Sequence, residues 1–171
     1  MPPYGRGMSR DEAIRTIVVG VDASSGAAGA LCWAIAEAQL TGAEVVAVHA
    51  YEMERATPRA SHALVPGLEA WAAAERQAFE RVWCAPLTRS GVACRMVFRH
   101  GRAGSVLSDV ARELDADLVV TGRRGLNTLA ELVAGSASQY LVHRAGCPVV
   151  VVPTATPARG ARPVAAAAAR A

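Results

Sequence analysis

Residues 118–153 read LVVTGRRGLNTLAELVAGSASQYLVHRAGCPVVVVP. Leu118–Thr121 is a short β-rich run that ends on a glycine-bearing loop. Ser136–Arg144 has the make-up of a short helix, and Val149–Val152 is an apolar run fenced by Pro148 and Pro153. Two apolar strands separated by a loop and a helix read as parallel members of one sheet, because an antiparallel pair needs only a tight turn.

The same alternation runs through the rest of the chain. Thr16–Asp22 (TIVVGVD) is a β-branched strand closed by a turn signal. The following segment places Leu31, Ala34, Ile35 and Ala38 at i, i+3, i+4 and i+7, a helical face that Gly42 should stop. Ala43–Ala50 is a second strand. Residues 52–67 hold Pro58, Pro66, Gly67 and mixed charge, and are expected to form a mobile connection. A helix is predicted from Leu68 to about Leu87, with Leu68, Ala72, Phe79 and Val82 on one face. Glu75 interrupts that face, and Pro86 should end or kink the helix. Cys94–Arg99 is a third strand. The next helix turns Val106, Leu107, Val110, Ala111 and Leu114 inward, with Asp109, Arg112 and Glu113 outward. Continuous apolar strands alternating with helices predict a parallel sheet covered on both faces, wound as a doubly wound α/β domain. In such sheets ligands bind beyond the carboxyl ends of the strands, where the winding reverses. Asp22, His49-Ala50 and the Gly122 loop should converge there.

Composition narrows the function. The chain has 171 residues, enough for one domain with a substantial core, and 52% of them are hydrophobic. All 18 basic residues are Arg, against 15 acids, and the surplus lies at the ends. Residues 16–153 carry 12 Arg and 13 acids, so the folded part lacks the basic patch of a nucleic-acid binder. No run of 18 apolar residues predicts a membrane span, and the first 15 residues lack the apolar core of a secretion signal. Cys32, Cys84, Cys94 and Cys147 show neither a C-x-x-C pairing nor zinc-finger spacing. Each sits among apolar neighbours, as a small buried thiol would, and a reduced cytoplasmic protein is expected. Residues 1–15 are expected to be a flexible lead and 16–153 the folded domain. Residues 154–171, rich in Ala, Arg, Pro and Gly without amphipathic pattern, are expected to be a disordered tail.

The glycine array supports two readings. Gly122 and Gly125 follow a strand, and Gly135-Ser136 opens a helix. Glycine brings main-chain N–H groups close to an anion, and a helix start adds unpaired donors and partial positive charge. The bland reading is a turn, with Ser136 opening an S-x-x-Q capping box (Ser136 to Gln139). Asp22, His49 and His100 fall at neighbouring strand ends. Three converging ligands there would hold a metal, but an Asp that caps its helix or bonds a ribose, beside ordinary histidines, is the favoured reading. Trp33, Trp71 and Trp83 are expected to pack in the core or at a dimer surface.

Taken whole, G-x2-G-x9-G-S, between ADLVVTG and CPVVVVP, resembles the ATP-binding signature of the universal stress protein family, the UspA-like proteins. TIVVGVDASSGAAGALCWAIAEA is similar to that family's first strand, Asp-containing turn and first helix, so the resemblance spans about Thr16 to Pro153. It implies a Rossmann-like sheet in the order 3-2-1-4-5, akin to adenine nucleotide alpha hydrolases, in the branch that binds ATP. The implied contacts are Val21 and Asp22 at the base and ribose, and the main chain of Ala50 at the adenine edge. Gly122, Arg123, Arg124 and Gly125 would wrap ribose and phosphates, and Gly135, Ser136, Ala137 and Ser138 would hold the phosphate tail. Mg²⁺, if present, would arrive with the phosphates. A homodimer paired along residues 149–152 is implied as well. Three positions depart from the family pattern: GRAG at 101–104 in place of a Gly-x-Pro turn, Pro86 within a helix, and Thr121 before the first glycine.

Holding a phosphate and breaking it are separate capacities. A P-loop needs a Lys on the terminal phosphates, and this chain contains none. No kinase set of paired Lys and Mg²⁺-binding Asp is recognisable. The expected role is an ATP-binding sensor or regulator of stress response without dedicated catalytic residues. Rival readings are a slow ATPase or nucleotidyl-transfer enzyme using Asp22 and Mg²⁺, and an interaction module that binds no nucleotide.

Overall fold

A computed structural model of the chain describes residues 13–52, 68–123 and 136–153. The expected lead, tail and 52–67 connection lie wholly or almost wholly outside these residues. The elements are β1 (Thr16–Gly20), α1 (Ser25–Thr41), β2 (Glu44–Tyr51), α2 (Leu68–Ala78) with a π turn (Phe79–Trp83), and α3 (Ala85–Arg89). They continue as β3 (Cys94–His100), α4 (Ala103–Glu113), β4 (Leu118–Gly122), α5 (Ser136–Arg144) and β5 (Val149–Val152). The strands form one parallel sheet in the order β3-β2-β1-β4-β5. This is the doubly wound order, with the winding reversing between β1 and β4.

Strand alternation builds two cores from one sheet. Ile17 and Val19 of β1 face one side, where Leu31, Ala34 and Ile35 of α1 and Phe79 and Leu87 pack on them. Val18, between them, faces the other side with Val106, Leu107 and Val110 of α4 and Leu141 of α5. The expected inward faces of α1 and α4 are observed. At the amino end of the sheet, the Asp117 carboxylate accepts the main-chain N–H groups of Arg15 (2.8 Å) and Thr16 (2.9 Å), tying the start of β1 to β4. Gly42 ends α1 as expected, in a left-handed conformation with φ of 75°.

Two expectations fail. Val82 does not face the core and is 65% exposed. The helix widens into an i→i+5 turn, in which the Cys84 N–H donates to the Phe79 carbonyl (2.9 Å). The extra residue rotates the following segment, so Cys84 and Leu87 point inward and Val82 outward. Pro86 then opens α3, where its missing N–H costs no helical bond. The four cysteines are also not uniformly buried. Cys84 is, and its burial pushes the thiol up to about 12, but Cys32 is exposed on the outer side of α1.

The main chains of α1 and β4 approach closely at two glycines. A Cβ on Gly122 would lie 2.2 Å from the Gly26 carbonyl oxygen, and one on Gly26 would lie 2.5 Å from the Arg123 carbonyl oxygen. Both obstructing atoms are backbone and cannot swing aside. Gly122→Ala and Gly26→Ala are each expected to cost about 2 kcal/mol or more of unfolding free energy in denaturant titration, as overpacking does. Gly29→Ala, whose Cβ would meet only Val152 at 4.0 Å, is expected to stabilise by about 0.5–1 kcal/mol through helix propensity. Equal stabilities for all three variants would contradict the close approach.

Candidate nucleotide-binding cleft

A cleft of about 610 Å³ opens beyond the carboxyl ends of β1, β2 and β4. The Gly26–Gly122 contact fixes one wall by seating the amino end of α1 against the end of β4. The turn between β1 and α1 is held by side chains. Asp22 Oδ1 accepts the Ser24 N–H (2.9 Å) and the Ser24 hydroxyl, whose oxygen accepts the Ala27 N–H at 3.2 Å. Ser24 is thus the N-cap of α1 and Asp22 orients it. Asp22 therefore closes the turn and holds the cap rather than capping the helix itself, the role expected of it, and it also lines the cleft.

Two helices present their amino ends to the same space. Ala103, Gly104 and Ser105 open α4, and Ala137 and Ser138 lie in the first turn of α5, all on the lining. The first N–H groups of a helix lack intrahelical acceptors and carry the positive end of its dipole. The two ends are locked together at Gly104, where an added Cβ would lie 2.8 Å from Tyr140 Cβ. The GRAG departure therefore trades the expected proline for a close helix–helix contact, with Arg102 in the N-cap position and on the lining.

The β2 side of the cleft is aromatic. His49 is only 6% exposed and donates from Nδ1 to the Val21 carbonyl (2.8 Å), with Nε2 3.5 Å from the Glu75 carboxylate. Its ring stacks on Phe98 at 5.5 Å and meets Trp83 edge-on at 5.1 Å. Tyr51 stacks on Phe98 at 4.5 Å, with Trp71 and His100 beside it. His49 and His100 thus face aromatic rings. Among the described residues no group of three His, Cys, Asp or Glu side chains comes together to hold a metal ion. Every buried side-chain N or O among the described residues has a hydrogen-bond partner.

The expected site residues divide as follows. Val21, Asp22, Ala50, Gly122, Ala137 and Ser138 meet around the cleft. Arg123 is exposed, and its main-chain N–H donates to the Val152 carbonyl (2.8 Å) within the sheet rather than pointing to the cleft. Ser136 begins α5. Arg124, Gly125 and Gly135 lie outside the described residues. Residues not expected at the site include Tyr51, Glu52, Trp71, Glu75 and Arg102. Tyr51 was within reach of sequence reasoning, since it follows Ala50 at the strand end. Trp71 was not, because a tryptophan on an amphipathic helix reads as core.

These features place the chain among doubly wound α/β domains with a cleft at the point where the winding reverses, and comparison with known proteins makes the class specific. The profile of the universal stress protein family matches residues 13–153, and the chain belongs to that family. A universal stress protein of Thermus aquaticus is 34% identical over 139 residues, covering 81% of this chain and 98% of that protein. Universal stress protein Sll1388 of Synechocystis is 42% identical over 82 residues, which cover 46% of this chain and 53% of that protein. The match thus spans about half the length of that relative. Among solved structures, a universal stress protein in complex with cAMP is 27% identical, with a TM-score of 0.60 over 84% of this chain and 100% of that one. No helix among the described residues is long and apolar enough to cross a membrane.

His49 ties β1, β2 and α2 together behind the cleft. His49→Phe keeps an aromatic ring but removes the bond to the Val21 carbonyl. It is expected to lower unfolding free energy by about 1–3 kcal/mol, measured by thermal or denaturant unfolding.

Proposed function

We propose that the cleft binds an adenine nucleotide, ATP in the first instance, and that the chain acts as a nucleotide-dependent sensor or regulator in stress response. The observation that carries this reading is the convergence of two helix amino ends on one 610 Å³ cleft at the point where the winding of the sheet reverses. The volume lies within the range of small-molecule sites. The cAMP complex of a relative supports an adenine nucleotide as the ligand class. Val21, Asp22 and Ala50 serve the base and ribose. Gly122 with Arg123, Arg124 and Gly125 borders the ribose and phosphates, and Gly135, Ser136, Ala137 and Ser138 receive the phosphate tail.

Holding without dedicated breaking is the reading we favour, because the chain contains no Lys to reach a terminal phosphate. Mg²⁺ would come with the phosphates and supply charge neutralisation there. The nucleotide-binding unit is residues 16–153, with 1–15 and 154–171 as flanks. Among the described residues β5 is an edge strand paired only with β4, and a second copy paired along Val149–Val152 is the assembly we favour in a cytoplasmic protein.

Mass spectrometry of the supernatant from freshly purified, denatured protein is expected to show an adenine nucleotide, and calorimetry on stripped protein is expected to show ATP uptake. Gly125→Val and Gly135→Val should reduce that affinity at least tenfold with unchanged unfolding midpoints. Gly122 is unsuited to this test because it also packs against Gly26. Protein that neither carries nor takes up ATP, ADP, AMP or cAMP would remove the reading and favour an interaction module.

A further inference from the structure

The cleft is polarised. On its β2 side stand the rings of Tyr51 and Trp71 and the carboxylates of Glu52 and Glu75, while the helix amino ends of α4 and α5 line another part. Of the charged side chains on the described lining, Asp22, Glu52 and Glu75 are acidic and Arg102 is basic, and Arg102 stands at the start of α4 rather than beside Glu52, just after β2, and Glu75 of α2. A triphosphate laid along the Glu52–Glu75 side would face like charge at short range, whereas an uncharged heterocycle would not. The rings beside those acids offer such a heterocycle an apolar face. Tyr51 is already braced by Phe98 at 4.5 Å, and Trp71 stands next to it with ring centroids 6.3 Å apart.

We infer that Trp71, braced by Tyr51, is the stacking platform for the base of the bound nucleotide, and that the acidic side of the cleft fixes ligand orientation by excluding the phosphates. This rests on the nucleotide reading above and adds a side-chain determinant to a site otherwise served by main-chain groups. Trp71 is half-buried on α2 and outside both core clusters, unlike Trp33 and Trp83, which pack on the core beneath α1 and α2. Its ring therefore lies at the cleft rather than within the fold. Base–aromatic stacking depends on a π face and not on one hydrogen-bond pattern, so the platform adds affinity without selecting strongly among bases.

The test is calorimetric titration of the full chain, as wild type, Trp71→Ala and Trp71→Phe, with ATP and with inorganic tripolyphosphate, alongside tryptophan emission. Trp71→Ala is expected to weaken ATP about tenfold or more, Trp71→Phe less than threefold, and neither to change tripolyphosphate binding. ATP should quench emission in wild type, and that quench should be lost in Trp71→Phe although ATP still binds. Undiminished ATP affinity in Trp71→Ala, or an equal loss for ATP and tripolyphosphate, would overturn the platform while leaving the nucleotide reading in place. Failure of wild type to bind ATP at all would overturn both.

Discussion

The contact on which the cleft depends is between two pieces of backbone. Gly26 in the first turn of α1 and Gly122 at the end of β4 approach until neither has room for a Cβ. That approach fixes the height of α1 above the sheet, and with it the turn from Val21 to Ser24 that forms one rim. A larger residue at either position would lift the amino end of the helix from the strand and widen the crevice at the reversal point. Glycine at position 122 thus has a structural duty independent of any anion. The open main chain that a ligand would use and the close packing that shapes the site are consequences of the same missing side chain.

The opposite wall is made by side chains, and its geometry follows from the π turn. If α2 had continued with regular i→i+4 bonds, Val82 rather than Trp83 and Cys84 would have continued the buried face. The i→i+5 bond from Cys84 to Phe79 instead delivers Trp83 to the edge of the His49 ring and Cys84 to the core. His49 then spans two layers, bonded to the main chain just after β1 and packed between rings from the π turn and β3. A buried imidazole in this position is a structural joint behind the cleft.

Much of the fold was legible because strand and helix periodicities are local. The buried faces of α1 and α4, the bounds of α5 and β5, and the stop at Gly42 all follow from residues within a few positions of one another. The sheet order came from resemblance to a family, since local pattern does not dictate which strand lies beside which. What stayed hidden depended on neighbours distant in sequence. The Gly26–Gly122 approach joins positions 96 residues apart, and nothing around Gly26 alone distinguishes it from the neighbouring Gly29. The displacement of Val82 arose from one extra residue in a helical turn, a shift too small to show in a hydrophobic pattern. Trp71 read as core because amphipathicity reports which face is apolar, not whether protein or an open cleft covers it.

The remaining step connects the cleft to the rest of the molecule. The N–H of Arg123 is bonded to the Val152 carbonyl, so the strand that leads into the glycine loop is stitched to the edge strand of the sheet. A ligand that draws the segment after Gly122 toward the amino ends of α4 and α5 would act on that bond directly, because Arg123 is the residue that follows Gly122. A ligand gripped only at its base would act on α2 instead, through Trp71 and the His49 joint. On the proposed reading the two ends of one nucleotide would address different elements: the phosphates would address β5 and the proposed pairing edge, and the base would address α2. Ligands that differ only in phosphate number would then differ at the edge and not at the helix. Such an arrangement can report nucleotide state through binding alone, with no bond broken.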